Sequence, residues 1–386
     1  MRIVNICLGG PFTDGLSYQE NLITKYMVKS GHKAWVLAPR WVWTSDNKQV
    51  ETDQVNYINP DGVHVIRLSM NGKEDIKNKF RTFKGVYKAL EKIKPDFIFI
   101  HNVAYRDIAV VAKYLKDHPE VKAVADNHAD FSNSGTNWIS KTFLQKGIWR
   151  YYAKKLISYV QKFYGVLPAR VDYLVDVYGL PKEKCELLVM GADDELVEKA
   201  RDPLVRKEIR EKYGIQNDDF LVMTGGKIDH WKTQTLLLME AVQKINNPKV
   251  KLIVFGSVVD ELKGKVNALT DGEKVQYIGW QKSEDSYPLF AATDLAVFPG
   301  RHSVFWEQVT GQGIPMLVKD WPGTHHVDLG GNVEFLTQDN ADEIQKKIEE
   351  LVDNPEKYEK MKTVAEEKGM QVFSYKDIAK RAIELD

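Results

Sequence analysis

The sequence predicts an α/β protein made of two doubly wound parallel sheets in succession, and three observations carry that expectation. Short apolar runs alternate with helical patterns along the chain, as they do where parallel strands are covered by helices. Several of these runs stop at glycine, as in Leu8-Gly9-Gly10, Thr224-Gly225-Gly226 and Phe255-Gly256. The alternation then restarts after the charged stretch Asp193 to Tyr213, and 386 residues suffice for two domains with cores of their own.

Ile3 to Leu8 reads as a buried first strand, and Gly9-Gly10-Pro11 to Gly15 as the loop that ends it. A helix from about Ser17 follows, with Leu22, Tyr26 and Met27 on one face and Gly31 as its stop. Glycines there serve either a tight turn or a close approach of backbone to ligand. Their spacing does not match Gly-x-Gly-x-x-Gly, which argues against a nicotinamide cofactor. His32 to Leu37, Val63 to Leu68 and Pro95 to Ile100 are the next strands, with helices over Phe80 to Ile93 and Asp107 to Leu115. The polar segment Trp41 to Pro60 is long for a connection and suits an acceptor-side loop.

Val121 to Ala125 opens into Asp126-Asn-His-Ala-Asp130 and on to Gly135, which places His128 just past a strand end, where α/β sheets carry their chemistry. His101 holds the same position after the preceding strand and reads as structural. Ser140 to Gly165 reads as one helical segment in which Lys141, Lys146, Arg150, Lys154, Lys155 and Lys162 alternate with Trp149, Tyr151, Tyr152, Tyr159 and Phe163. It is either an amphipathic helix with solvated lysines or a surface that docks on anionic lipid; nucleic acid is a third reading that no recognised binding motif supports. Phe163 to Leu167 and Leu187 to Met190 close the first half, and the charged stretch after them reads as a hinge, with the boundary near residue 195.

In the second half Phe220 to Thr224, Leu252 to Phe255, Val275 to Ile278, Leu295 to Phe298, Pro315 to Val318 and Val333 to Leu336 read as strands. Thr233 to Ile245, Ala341 to Val352, Pro355 to Lys368 and a final segment from Phe373 to Asp386 read as helices. Ser303 can cap a short helix over Val304 to Gln312 that Gly313 and Pro315 terminate. The start of such a helix faces the ligand crevice and favours phosphate, making Ser303, Val304 and Phe305 candidate diphosphate contacts. Lys227 and Lys232 follow Gly225-Gly226, where ammonium groups can meet the same diphosphate. Glu307 is either a dipole-complementing carboxylate or a ligand group.

The 54 basic and 54 acidic residues cancel, which leaves no global field for nucleic acid. Cys7 and Cys185 are too few for a disulfide framework or a thiolate metal site, and a reducing compartment fits. No run approaches the roughly 20 apolar residues of a membrane span, and Ile3 to Leu8 is too short for a signal sequence. The expectation is a soluble cytoplasmic protein with scope for contact at the inner face of the cell membrane.

The glycine loop Gly9 to Gly15, "PDFIFIHN", "NHAD", "MGAD", "GGKIDHWK", "VQYIGW", "FWEQVTGQGIP" and "FSYKDIA", in that order, resemble the GT-B retaining glycosyltransferases. Among these the likeness is in particular to the large GT4 family, which builds bacterial surface polysaccharides and glycolipids. The resemblance implies two Rossmann-like domains facing a cleft: residues 1–195 on the acceptor side, joined by a returning helix over 373–386, and residues 196–372 holding a nucleotide-sugar donor. It implies that Lys227 stands at the Arg of a Gly-Arg-x4-Lys motif and Lys232 at its Lys, that Gly226 and Gly256 border the donor crevice, and that Ser303 to Phe305 donate backbone hydrogen bonds. Glu307 matches the second Glu of an E-x7-E motif, which holds the nucleotide ribose. Gly10 and Gly15 belong to the first-domain loop that approaches the phosphates, and His128 matches a histidine that contacts the donor sugar. The sequence departs from that pattern at Pro299, where the first Glu would stand, and in a shortened loop before Ser303, so that Arg301 or His302 is the substitute on offer.

The implied reaction moves a sugar from a nucleoside-diphosphate donor to a hydroxyl of a carbohydrate or lipid-linked acceptor. No Asp-x-Asp occurs, so the expectation is no metal and no cofactor, with lysines and helix dipoles balancing the diphosphate. Two rivals stand beside it: a nucleotide-sugar epimerase of the same architecture, and a non-catalytic binding module.

Overall fold

The apolar runs become strands because only a sheet covered by helices buries a strand on both faces. The computed structural model describes residues 1–44, 48–75, 77–134 and 140–385. It divides into one unit of residues 1–189 plus the chain from Lys376 on, and a second of residues 190–375. Gly135, part of the loop after Asp126, residues 45–47 of the Trp41 to Pro60 segment, and Asp386 of the final helix lie outside the described residues.

The strands of the first unit are β1 (Arg2–Ile6), β2 (Lys33–Pro39), β3 (Trp41–Trp43), β4 (Gln49–Glu51), β5 (Asn56–Ile58), β6 (His64–Leu68), β7 (Phe97–Ile100), β8 (Lys122–Asn127), β9 (Lys162–Gly165) and β10 (Cys185–Leu187). Eight form one sheet in the order β10-β9-β8-β7-β1-β2-β6-β5, parallel except for β5 on the edge. The chain winds outward from β1 to β6 and then returns to β1's other side with β7, so the winding reverses between β1 and β7. Ile6 lies opposite Ile100 at that reversal. The terminal helix Tyr375–Ile383 buries Ile378, Ala379 and Ala382, and Arg381 reaches the carbonyl of Leu187.

Three sequence expectations change here. The segment Ser140 to Gly165 is a π-helix over Ser140–Trp149, an α-helix over Arg150–Lys154, a run of turns and then β9, so the single long helix is not formed. Leu156, Val160 and Phe163 are wholly buried, and strand pairing with β8 claims the end of the segment. The last strand forms at Cys185–Leu187 instead of Leu187 to Met190, because the turn Lys182–Lys184 sets Cys185 opposite Phe163. The second helix begins only at Val86, after Gly85 takes a left-handed φ of 77°.

In the second unit, β11 (Phe220–Gly225), β12 (Val250–Phe255), β13 (Val275–Tyr277), β14 (Leu295–Phe298), β15 (Met316–Lys319) and β16 (Val333–Leu336) form one parallel sheet, order β13-β12-β11-β14-β15-β16. Its winding reverses between β11 and β14. The stretch read as a hinge holds two helices, Asp194–Ala200 and Pro203–Lys212. Asp193 and Asp202 cap them by accepting from the N–H groups of Glu195 and Leu204, and Pro203 supplies the first helical position.

Candidate functional site

A parallel sheet opens a crevice where its winding reverses, beyond the C-terminal strand ends. In the second unit those ends are Gly225 and Phe298, and the loops beyond them line one pocket with Gly226, Lys227, Lys232, Arg301 and Ser303. Gly226 and Gly256 have φ of 130° and 132°, and a Cβ on Gly256 would lie 1.8 Å from the Gly226 carbonyl oxygen. Gly256 thus has a packing reason to be glycine and does not line the pocket.

Asp229 shapes the rest of the β11 loop. One carboxylate oxygen accepts the Trp231 N–H at 2.9 Å and the other lies 3.6 Å from Lys227 Nζ. That turn brings Lys232 back to the pocket wall, where it makes no ion pair among the described residues. Burial pushes its pKa down, Asp229 opposes the shift, and Arg301 adds to it. Gly300 passes with its Cβ position 3.8 Å from Lys232 Cα, which places the Arg301 guanidinium 4.3 Å over the Trp231 ring.

The helix after β14 runs over Phe305–Gln312 and ends on Gly313 at φ 80°. Ser303 Oγ accepts from the Phe305 N–H at 3.2 Å, and the Phe305 ring packs on Phe255 and Phe290. That N–H is therefore occupied, and of the three residues expected to meet the diphosphate only Ser303 lines the pocket. Val304 is exposed. Glu307 is wholly buried, and one of its oxygens accepts from Nε2 of both His302 and His326, each at 2.8 Å. Burial works against the charge of Glu307, yet the two imidazoles hold its carboxyl well below the usual range. Its second oxygen has no partner. His326 was not found from sequence because no motif surrounds it.

In the first unit a polar chain crosses three adjacent strands. Asn5 Oδ1 on β1 lies 3.2 Å from His101 Nε2, His101 Nδ1 lies 2.8 Å from Asp126 Oδ2 on β8, and His128 Nε2 lies 3.4 Å from that same oxygen. The other Asp126 oxygen accepts the Asn102 N–H at 2.8 Å. Burial disfavours charge on both residues, but attraction wins, lowering the pKa of Asp126 and raising that of His128. His128 is the member of the chain that reaches solvent, with a side chain 34% exposed. The glycine loop is tied down beside it: Asp14 accepts from Tyr57 Oη at 2.6 Å and Asn59 Nδ2 at 2.9 Å. Gly15 has φ 74°, and the Cβ positions of Gly10 and Gly15 are open.

A raised folded pKa means that the charged His128 contributes stability below the ordinary histidine value near 6.5, and that this contribution is lost as pH rises through the folded value. Asp126→Asn should therefore bring the His128 titration midpoint, followed by NMR of its ring, below the wild-type value. An unchanged midpoint would show that Asp126 does not hold the charge. His101, Asp126 and His128, and separately His302, Glu307 and His326, each bring three ligand atoms within 4.8 Å of one another, a donor set that could also hold a transition metal.

Residues 205–368 match the family described as glycosyl transferases group 1, and residues 21–196 match glycosyltransferase family 4. Glycosyltransferase family models thus match both halves of the chain. The chain is 22% identical over 233 residues to mannosylfructose-phosphate synthase of Agrobacterium fabrum, a match covering 56% of the chain and 51% of that relative's length. The match thus spans about half of that relative. Its fold is that of Anabaena HepE, solved in complex with UDP, with TM-score 0.71, 17% identity and coverage of 99% of this chain and 98% of that one. The UDP-GlcNAc 2-epimerase of Neisseria meningitidis, solved bound to UDP-GlcNAc, superposes with TM-score 0.65 at 14% identity, covering 99% and 98%. The two parallel-sheet units are thereby those of the GT-B fold. No helix among the described residues is long and apolar enough to cross a membrane.

Proposed function

We propose that this glycosyltransferase moves a sugar, with retained anomeric configuration, from a nucleoside-diphosphate donor to a hydroxyl of a carbohydrate or lipid-linked acceptor in surface polysaccharide or glycolipid synthesis. The observation that carries the reading is the pocket at the winding reversal of the second unit: three of its lining residues are cations and none is acidic. Such a pocket suits a diphosphate and the charge that grows on it as the glycosidic bond breaks. In this reading residues 196–372 hold the donor, residues 1–195 with the returning helix serve the acceptor, and His128 faces the donor sugar. The departing phosphate takes the acceptor's proton on the same face, so the protein needs no carboxylate pair for double displacement. Glu307, through its unpartnered oxygen, is the proposed ribose acceptor.

The test is thermal stabilisation by UDP, GDP and ADP and their sugar conjugates, before and after dialysis against EDTA. A ligand at 100 times its Kd adds about 2.7 kcal/mol, which is roughly 5–10 °C for a domain of this size. One nucleotide should give that shift, and chelation should leave it unchanged. No shift with any of them would overturn the reading in favour of a non-catalytic module. The epimerase alternative rests on the Neisseria fold likeness and is separated by turnover, since an epimerase interconverts free nucleotide sugars without an acceptor.

The partner surface is proposed on the first unit. Phe143 and Tyr151 are 63% and 60% exposed, Lys146 and Lys154 are exposed near them, and Lys155 Nζ lies 4.4 Å over the Tyr151 ring. Aromatic side chains among lysines suit the headgroup region of an anionic bilayer. The protein should sediment with phosphatidylglycerol vesicles and not with phosphatidylcholine ones, and Phe143→Ser/Tyr151→Ser should lower the bound fraction severalfold; equal binding to both lipids would remove this contact.

A further inference from the structure

The motif position for the first phosphate cation is Lys227, yet its surroundings do not suit that task. Lys227 is 58% exposed and paired with Asp229 at 3.6 Å. Arg301 differs on both counts. It makes no ion pair and no hydrogen bond among the described residues, and it lines the same pocket as Lys232 and Ser303. We propose that Arg301, held by Trp231, is the partner of Lys232 on the donor's diphosphate and takes the place that the motif gives to Lys227.

Trp231 is 65% exposed, and its indole lies under the Arg301 guanidinium. Stacking leaves the edge of the guanidinium free, and that edge offers paired N–H donors in the geometry that two phosphate oxygens accept. The Asx turn at Asp229 fixes the Trp231 backbone, so the platform is built by the same loop that carries Lys232. Arg301 also lies close enough to Lys232 to depress its pKa. Two unneutralised cations that repel one another are relieved by a bound anion. Lys227 with Asp229 sums to zero, which leaves two positive charges, those of Lys232 and Arg301, to meet the two negative charges of a diphosphate diester. The departure from the E-x7-E pattern fits the same account, because Pro299 stands in place of the first Glu and the pocket lining contains no carboxylate.

This inference rests on the nucleoside-diphosphate reading, and the experiment separates the two. Calorimetry would measure Kd for UDP and UMP, or for GDP and GMP if guanine is the base, with wild type, Arg301→Ala, Arg301→Gln, Lys227→Ala and Trp231→Ala. Arg301→Ala and Arg301→Gln should each weaken the diphosphate at least tenfold, by more than Lys227→Ala does, and should affect the monophosphate far less. Trp231→Ala should weaken the diphosphate in the wild-type background and add little to Arg301→Ala, since the indole acts through the guanidinium. A wild type that binds no diphosphate would overturn the underlying reading. A wild type that binds it, with Arg301 variants no weaker than Lys227→Ala, or equally weakened for monophosphate and diphosphate, would overturn this proposal alone.

Discussion

Lys232→Ala should lower kcat/KM for the donor by about 10²–10³-fold, the range seen when one preorganised group is removed from developing charge. The same substitution should leave the melting temperature level or slightly higher. Lys232 makes no ion pair among the described residues, and its charge is disfavoured by burial and by Arg301 nearby. Removing it therefore strands no partner and relieves a repulsion. Because its pKa is lowered, the wild type should lose activity on the alkaline side below the ordinary lysine value of 10.5. Activity against pH, measured together with thermal melts, checks all three statements. A loss under threefold would remove Lys232 from the site, and a collapse in stability would show that its role is structural.

The contrast between well-read and poorly read elements has a physical basis. Runs such as Phe97 to Ile100 and Leu295 to Phe298 are buried along their whole length, and their sequence contains nothing but that fact. β3, β4 and β5 are three residues each and partly exposed, and even the apolar run Trp41-Val-Trp43 is too short to announce a strand. The same logic governs the site. Lys232 and Ser303 were legible because they lie in the loops that follow β11 and β14, whose ends the topology delivers to the crevice. Asp126 and His326 were not, since each acts on a histidine or carboxylate that tertiary folding brings to it: Asp126 joins His101 to His128, and His326 reaches Glu307 across 19 residues. Trp231 carries no signal of its own in the sequence, because only the folded β14 loop places Arg301 over it.

Glu307→Ala should unfold the second unit more readily, by about 3–5 kcal/mol, as expected when one member of a buried charged network is removed. That is a fall in melting temperature of roughly 10 °C or more. From the sequence alone this substitution should weaken donor use without unfolding; the burial of Glu307 between His302 and His326 reverses that expectation. The pH dependence identifies the cause. The folded carboxyl lies below its ordinary value of 4.5, so its contribution is complete above that pH and is lost as pH falls through the folded value. Wild type should therefore lose stability steeply on acidification, whereas Glu307→Gln, which keeps the volume without the charge, should be less stable at neutral pH and flatter below about pH 5. Parallel acid limbs for the two proteins would mean that other carboxylates set the wild-type profile. The histidines give an independent measure, since His326→Ala in the Glu307→Ala background removes an imidazole that no longer has its partner. That second substitution should cost much less than in wild type, and the difference is the coupling between the two side chains. A carboxylate held this firmly on one oxygen keeps the other fixed and dry, which is what a ribose-binding group requires of its position before the nucleotide arrives.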